Sequence, residues 1–300
     1  MSKQQKRIRE SKADYIFLGF NYVSLTLLFV IIMYPLLNVL SSSFSSSKAV
    51  VSGRVSIFPV EPTLLAYKTI FSSSSILIGY LNSFFYTIFG TIVQVALSIL
   101  LAYPLTRKKL FGRNFITSML IFTMFFSGGL IPTYLVVKSL GLINTRLALI
   151  LPGGMSVFNV IVARTFFQTS IPEELFEAAE LDGYNQFGIF RRIVLPLAAP
   201  IVAVLTLIYA VGNWNAYFEA MIYINSAKLF PLQIILRNIL ILNTAPGRIL
   251  TDVNRMLAQQ EMITLLKYAL IVVASVPVLM FYPLLQKYFV KGMMIGSLKG

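Results

Sequence analysis

The stretch YIFLGFNYVSLTLLFVIIMYPLLNVL (Tyr15–Leu40) decides the fold class. It carries no charged residue, and a helix needs about 20 mostly apolar residues to cross the hydrocarbon core of a bilayer. In lipid, a single segment satisfies all its backbone hydrogen bonds only as a helix. The apolar run is too long for a cleavable signal, and no small-residue cleavage site follows it. The stretch therefore predicts a membrane-anchoring helix that is retained.

The rest of the chain has the same apolar character. Of its 300 residues 57% are hydrophobic and 12% are charged, against roughly 45–50% and about 25% in soluble domains. This composition excludes a disordered chain, a disulfide scaffold and a secreted enzyme. Because Cys and His are absent, thiolate chemistry and histidine-based catalysis are excluded as well. We expect an all-α polytopic membrane protein that binds no metal.

Apolar runs long enough to span the bilayer recur along the chain and predict six transmembrane helices. Their expected bounds are 16–40, 81–104, 115–137, 147–168, 198–222 and 267–289. Together they form one transmembrane domain, 16–290, between a basic N-terminus, 1–15, and a tail, 291–300. The apolar stretch Leu229–Leu236 is too short to span and predicts a re-entrant or surface element.

The basic residues predict the orientation of the chain. They concentrate in the N-terminus, in the loop after the second span and in the C-terminal tail, which places both termini in the cytoplasm. The net charge of +14 is typical of cytoplasmic loops facing anionic lipid and favours that partner over nucleic acid. The long connections 41–80 and 226–261 then lie outside. Either they receive a partner protein or they cap the helix bundle.

The long inner connection, 169–197, has a distinctive pattern: TSIPEELFEAAELDGYNQFGIFRRIVLPL. Ser170 is placed to cap a helix that begins with Pro172 and two glutamates. Gly183 is placed to end that helix in a left-handed turn. A second short helix follows, with Phe190 on its apolar face, and Pro196 is expected to break it. Five of the 11 acidic residues lie between Glu173 and Asp182.

These two short helices, here called the bracket (residues 173–197), have two interpretations. Anionic lipid repels the acidic cluster, which favours a helix that seats in the groove of a cytosolic protein. Ala178 and Ala179 then permit close approach, and Glu177 offers a carboxylate to a basic group. The alternative is an interfacial loop helix without a special role.

A resemblance favours the docking interpretation. Glu177–Ala178–Ala179, Asp182–Gly183, Phe190, Leu195–Pro196 and Pro200 resemble the EAA loop of ABC importer permeases. The whole chain is similar to the carbohydrate-importer branch typified by the maltose permease subunits. FFSGGLIPTYLVVKSLGLINTRLALILPG (125–153), GNWNAYFEAMIYIN (212–225) and YFVKGMMIGSLKG (288–300) resemble a sub-branch that serves oligosaccharides from plant or algal polysaccharides. One departure is Tyr184, where the family usually has Ala.

The resemblance implies a permease subunit of an ATP-driven importer for oligosaccharides, in the bacterial cytoplasmic membrane. The bracket would be the coupling helix in a cleft of the ATP-binding subunit. Glu177 would face a basic group, with Ala178, Ala179, Asp182 and Gly183 at the contact, while Phe190 and Pro196 fix the loop. The implied partners are a second permease subunit, a dimer of ABC ATPases and an extracellular solute-binding protein or lipoprotein.

ATP and Mg²⁺ are expected on the partner ATPase and not on this chain. The phosphate-binding pattern GxxxxGK[ST] does not occur in the sequence. The tail beyond Tyr288 is expected either to run along the ATPase dimer interface or to be a frayed basic end.

Polar residues in the fifth span are candidates for the substrate path: Asn213, Trp214, Asn215, Tyr217 and Glu219. Amides and carboxylates can bind sugar hydroxyls, and an indole can pack on a pyranose ring. The same residues also suit an aromatic belt at the membrane surface or contacts between helices. Asn82, Gln94 and Asn159 are interpreted as helix–helix contacts. The pairs Gly128–Gly129 and Gly153–Gly154, near prolines, mark places where helices can bend or approach closely, and helix packing alone would also explain them.

Two other functions are weighed against the permease. A self-sufficient secondary transporter or channel needs a coupling carboxylate at the midplane and often has an internal repeat. Glu219 is near the end of its span, and no convincing repeat is seen. A membrane-embedded enzyme is disfavoured because His, Cys and clustered intramembrane carboxylates are missing.

Overall fold

The computed structural model describes residues 11–240, 262–281 and 283, and these contain helices and no strand. The all-α class is confirmed. The helices are α1 (Lys12–Ser43), α2 (Ser47–Val51), α3 (Leu65–Ser72), α4 (Ser74–Ala102), α5 (Arg113–Phe125), α6 (Leu130–Ser139), α7 (Val157–Ser170), α8 (Glu173–Leu181), α9 (Gln186–Leu197), α10 (Ala199–Asn215), α11 (Phe218–Tyr223), α12 (Leu232–Leu240) and α13 (Met262–Phe281). The described residues fall into two compact units, 11–69 with 262–272 and 70–240 with 273–281 and 283.

The first unit contains α1 and the serine-rich segment after it. A capping box begins α1: Ser11 Oγ accepts from the Asp14 amide at 3.2 Å, and the Ser11 amide donates to the Asp14 carboxylate at 2.7 Å. The apolar side chains of α1 are exposed along most of its length, as expected of a helix that faces lipid. After α1 the chain folds on itself, and Ser45 Oγ links the carbonyl of Ser41 to the amide of Val60.

The second unit is built around α4. One face of α4 buries a row of polar side chains: Asn82, Ser83, Thr87, Thr91, Gln94 and Ser98. Helices α7, α10 and α12 pack against α4. Gly90 allows the closest approach, because a Cβ placed there would lie 2.9 Å from Nδ2 of Asn213 on α10. Thr87 Oγ1 is buried without a hydrogen-bonding partner among the described residues.

The helices that are long enough to span a membrane agree only in part with the predicted set. By length and apolar composition, α1, α4 with the turn after it, and α13 qualify, and bent pairs raise the number to as many as five among the described residues. The predicted span 115–137 is not one straight helix. It is α5 followed by α6 at an angle of 114°. Gly129, with φ +83°, makes the bend, which confirms the expected position.

The fourth and fifth predicted spans are also not single straight helices. Helix α7 begins at Val157, ten residues after the predicted start at 147, because Pro152 and Gly153 end the short 3₁₀ turn Arg146–Leu149 without continuing it. The fifth span is α10, which ends at Asn215, and then α11. The sixth is α13 as far as Phe281; its predicted end at 289 and the tail 291–300 lie outside the described residues.

At the N-terminal end of α4 a loop and a short helix dock onto it. Asn82 Nδ2 donates to the carbonyls of Lys228 and Phe230 at 2.8 and 3.1 Å. The amide of Leu232 donates to Ser83 Oγ at 2.8 Å. The apolar stretch predicted as a re-entrant or surface element is therefore largely α12, an amphipathic helix that buries one side on this unit.

Gly90 and Gly19 offer a matched test of this packing. We expect Gly90→Leu to lower the stability of the purified protein by about 1–3 kcal/mol, because the added side chain overpacks the contact between α4 and α10. Gly19→Leu changes helix propensity equally but meets nothing within 4 Å. Thermal unfolding midpoints compare the two, and equal midpoints would refute the close contact.

Candidate functional site

The bracket lies at the C-terminal end of α4, beside the basic loop that contains Arg107, Lys108 and Lys109. Its first helix, α8, ends as predicted: Gly183 has φ +80°, and the Tyr184 amide donates to the Ala179 carbonyl at 3.0 Å. Its start is different. Pro172 occupies the N-cap position, and Ser170 is the last residue of α7. The expectation that Ser170 caps α8 is therefore wrong, since α7 extends further than the sequence pattern indicated.

The second bracket helix, α9, continues through Pro196 instead of breaking there. Its middle part, Phe190–Val194, has π-helical hydrogen bonding, and Pro196 opens the next helical turn, where a missing amide hydrogen is tolerated. The break comes at Ala198, where α9 meets α10 at 75°. The end of this helix, predicted at Pro196, is therefore displaced a short distance along the chain.

Glu180 ties the inner side of the bracket to the basic loop. Its carboxylate accepts from Lys109 Nζ at 2.6 Å, from Arg107 Nη2 at 3.0 Å and from Gln186 Nε2 at 3.1 Å. The hydrogen bonds from Lys109 and Gln186 lower the pKa of the Glu180 carboxyl below its usual range. The group therefore stays ionised at neutral pH. We call this set of contacts the Glu180 clamp.

An aromatic layer supports the clamp from the protein side. The Arg107 guanidinium lies 4.0 Å above the ring of Phe176. Tyr103, at the end of α4, donates its hydroxyl to Gln186 Oε1 at 3.1 Å, and its ring lies 5.1 Å from that of Phe190. Cation–π and aromatic contacts of this kind are strengthened where water is excluded. Phe190 thus packs the bracket against the residue that follows α4.

The outer side of the bracket is exposed and unpaired. Glu177 and Ala178 face away from the protein, and Glu177 makes no ion pair among the described residues. Leu181 is 89% exposed and Phe187 is 69% exposed. Ala179 is the exception within the predicted contact set: it is buried against this chain's own core, so it cannot face a partner. Asp182, Gly183 and Pro196 are exposed.

Tyr184, the departure from the family pattern, has a specific place. Its hydroxyl accepts from Arg192 Nη1 at 3.1 Å, and the Arg192 guanidinium lies 5.2 Å from its ring. Gly188 makes room for the ring, because a Cβ at that position would come within 3.2 Å of Tyr184 Cδ1. The larger side chain therefore lies along the bracket and is held there.

A cavity of about 480 Å³ opens between α4, α7, α10 and α11. Its size falls within the usual range for ligand sites, which are mostly apolar with a few placed polar groups. The side chains that give it polar and aromatic character are Tyr86, Gln94, Ser156, Phe158, Asn159, Tyr209, Asn213 and Glu219.

Amide hydrogen bonds fix one wall of this cavity. Asn213 Nδ2 donates to Gln94 Oε1 at 2.7 Å and to Thr91 Oγ1 at 3.3 Å. Gln94 Nε2 in turn donates to the carbonyl of Gly153 at 2.8 Å. Two amides that bond each other and the backbone are held in one orientation. Gln94, interpreted from the sequence as a helix contact, is both a helix contact and part of the cavity wall.

Of the path candidates on the fifth span, Asn213 and Glu219 line the cavity, while the other three do not. Trp214 is 1% exposed; its Nε1 donates to the carbonyl of Ala274 at 2.9 Å, and its ring packs edge-on against Phe84. Asn215 donates to the Val211 carbonyl of its own helix at 2.9 Å. Tyr217 is exposed outside the lining. In this structure the expected stacking of Trp214 on a sugar has no surface on which to occur.

Sequence reasoning missed two residues of these sites. Asn159 is buried at 4% exposure within the helix packing, as expected, but it also lines the cavity and makes no hydrogen bond among the described residues. Glu180 was not singled out, although it lies in the acidic cluster. Its three partners come from elsewhere in the fold and leave no local signal.

In the second unit, apolar helices around a partly open cavity with polar lining, together with an exposed bracket, are the arrangement expected of a helical membrane transport subunit. Residues 6–295 match the family model for the inner membrane component of binding-protein-dependent transport systems, and the chain belongs to that family. The family consists of transporter subunits, not enzymes, and its members reside in the inner membrane.

The relatives agree with this assignment over almost the full length. Protein LplC of Bacillus subtilis (strain 168) is 42% identical over 98% of both chains. The polygalacturonan/rhamnogalacturonan transport system permease protein YtcP of the same organism is 42% identical over 96% of this chain and 98% of its own. A chain of a bacterial ABC transporter involved in the import of the acidic polysaccharide alginate superposes with a TM-score of 0.86, at 32% identity, over 94% of this chain and 99% of that one.

The Glu180 clamp can be tested against Glu174, a carboxylate on the same helix that makes no ion pair among the described residues. We expect Glu180→Ala to raise amide hydrogen exchange in α8 roughly tenfold, because charge-assisted hydrogen bonds that hold the helix are lost. Glu174→Ala should leave the exchange rate close to that of the native protein. Equal rates in the two variants would show that the clamp does not hold the bracket.

The lowered pKa of Glu180 also fixes the pH dependence of the clamp. A depressed carboxyl pKa stabilises the folded bracket above the ordinary glutamate value of about 4.3. That stabilisation is lost as the pH falls through the lowered value. The protection factor of the α8 amides, which corrects for the pH dependence of intrinsic exchange, should therefore stay constant down to about pH 4.3 and fall below it. A protection factor that does not fall below that pH would contradict the role of the Glu180 carboxylate.

Proposed function

We propose that the chain is a permease subunit of an ATP-driven ABC importer that moves oligosaccharides, from plant or algal polysaccharides, into the bacterial cytoplasm. The observation that carries the proposal is the bracket: its inner side is fixed to the protein, while its outer side exposes apolar side chains and a carboxylate that makes no ion pair among the described residues. Membership in a family of transport components supports the same reading. The substrates named for YtcP and for the alginate transporter supply the class of substrate.

The outer side of the bracket is the surface for an ATP-binding subunit. Leu181 and Phe187 bring apolar area that water solvates poorly, and Glu177 brings a carboxylate without a partner. These are the features of a helix that seats in a groove lined by apolar and basic groups. Gly183 and Asp182 lie at the same rim. ATP and Mg²⁺ are bound by that partner, and none is bound by this chain.

The proposed topology has six spans in a single permease domain, 16–290, with the coupling loop 169–197 between the fourth and fifth and both termini in the cytoplasm. The positive-inside rule supports it, because Arg107, Lys108 and Lys109 lie beside the bracket. In this scheme the bent pair α5 and α6 is the third span. A second permease subunit completes the pathway, and an extracellular solute-binding protein or lipoprotein delivers the sugar.

Transport proceeds by alternating access, and α4 transmits the movement. Its C-terminal end is tied to the bracket through Tyr103 and the Glu180 clamp, while Gln94 in its middle forms the cavity wall. Closure of the ATPase dimer would therefore tilt α4 and reshape the cavity together. The bends at Gly129 and Ala198 give the neighbouring helices places to move.

Glu177 provides the test of the docking surface. We expect Glu177→Lys to abolish transport and to reduce recovery of the ATPase with the membrane complex, because it replaces an attractive charge by a repulsive one at the interface. Glu174→Lys reverses the charge of an exposed carboxylate on the same helix that makes no ion pair among the described residues and should leave recovery unchanged. Normal assembly and transport by Glu177→Lys would refute the proposed coupling role.

A further inference from the structure

Another cavity of the second unit, of about 480 Å³, lies beside the bracket and shares no lining residue with the one between α4, α7, α10 and α11. Three segments form it: the basic loop with the first residue of α5, the end of α7, and the start of α8. Its charged and amide side chains are Arg107, Lys108, Arg113, Gln168, Glu173 and Glu174. We call this cavity the basic pocket.

The charges around the basic pocket do not balance. The pocket and the Glu180 clamp together contain four basic and three acidic residues: Arg107, Lys108, Lys109, Arg113, Glu173, Glu174 and Glu180. One positive charge is therefore in excess. Arg113 is half-buried, and its guanidinium makes no ion pair or hydrogen bond among the described residues. Glu174 also makes no ion pair there, but it is exposed, so water and salt screen its charge.

Three side chains of the pocket can donate hydrogen bonds to a ligand. Arg113 offers a planar guanidinium, and the side-chain amide of Gln168 makes no hydrogen bond among the described residues. Lys108 can turn to a ligand, because its ion pair with α8 joins side chains that are 74% and 45% exposed, and such pairs contribute little. The hydroxyls of Thr106 and Thr169 already donate to backbone carbonyls, at 2.6 and 3.0 Å. Guanidinium, ammonium and amide donors together suit the oxygens of a phosphate group.

The pocket lies where an apolar helix begins. Arg113 is the first residue of α5, and none of the 13 residues of that helix is buried. Phe115 and Phe125 are 69% and 76% exposed, a surface that suits contact with acyl chains. In the proposed topology the basic loop is cytoplasmic, so the pocket lies at the level of the lipid head groups. Basic pockets at this level bind anionic head groups.

We propose that the basic pocket binds the phosphate of an anionic phospholipid head group. Arg113 donates two hydrogen bonds to the phosphate oxygens, and Lys108 and Gln168 donate to the others. A soluble phosphate compound has the same chemistry, but the exposed apolar surface of α5 favours a ligand with acyl chains. The bound lipid links the basic loop, the end of α7 and the start of α8 at the membrane surface. The inference rests on the proposed cytoplasmic position of the loop, and its failure would leave the proposed transport function standing.

The test measures lipid binding to the complete complex, purified in detergent and freed of lipid, by native mass spectrometry. The Kd of the first bound molecule is determined for phosphatidylglycerol, phosphatidylcholine and glycerol phosphate. Phosphatidylglycerol should bind about tenfold more tightly than phosphatidylcholine, whose head group has no net charge. Glycerol phosphate, which lacks acyl chains, should bind at least about a hundredfold more weakly than phosphatidylglycerol. Equal affinity for the two lipids would exclude recognition of charge, and equal affinity for glycerol phosphate would identify the ligand as a soluble phosphate; either result would overturn the proposal.

Variants of Arg113 assign the binding to the pocket. Arg113→Gln should raise the Kd for phosphatidylglycerol about tenfold, because the half-buried cation is lost, and should leave the Kd for phosphatidylcholine unchanged. Arg113→Lys keeps the charge without the planar donor pair and should raise the Kd by about threefold at most. Lys12→Gln is the matched control, since Lys12 is the exposed first residue of α1, another apolar helix, and it should leave both values unchanged. An equal Kd for phosphatidylglycerol in Arg113→Gln and Lys12→Gln would overturn the site.

Discussion

Polar side chains buried along one face of α4 need hydrogen-bonding partners that lipid cannot supply. Asn82 finds them in the carbonyls of the loop before α12, Gln94 in Asn213 and Gly153, and Ser98 in Tyr209. Each of these hydrogen bonds fixes a different part of the second unit at a particular position along α4. The loop before α12, the wall of the cavity and the start of α7 therefore have their positions set by one helix.

The same helix joins the two functional regions. Its middle forms the cavity wall, and its C-terminal end is bonded to the bracket through Tyr103 and the neighbouring Arg107. In the proposed mechanism a force on the bracket would act on a helix whose hydrogen bonds to the cavity wall resist sliding, so the cavity would change shape with it. In the bracket, burial of Ala179 and exposure of Ala178 divide one helix into a side that holds the protein and a side that is free for a partner.

Local sequence features predicted those parts of the structure that depend on interactions between residues close together in the chain. The uncharged runs located α1 and α4, Gly129 located a bend, and Gly183 located the end of α8. The sequence pattern could not predict features that depend on contacts between residues far apart in the chain. Trp214 looked like a sugar platform, but its rotation on α10 is set by Phe84 and Ala274, which bury it. Asn159 was interpreted only as a helix contact, because hydropathy does not reveal that its side chain makes no hydrogen bond among the described residues. Glu180 gave no signal since Arg107 lies on another segment of the chain.

The central claim, that the bracket and the end of α4 move as one body, can be measured directly by spin labelling. The chain contains no cysteine, so cysteines introduced at Phe111, which is almost fully exposed, and at Glu174, an exposed residue of α8 outside the proposed ATPase contact, carry the only spin labels on this chain. Pulsed electron–electron double resonance on the complete complex gives the distance between the two labels without nucleotide and with ATP bound. The account predicts one narrow distribution that is the same in both states. A shift of several ångströms on ATP binding would contradict it, because the bracket would then move independently of α4.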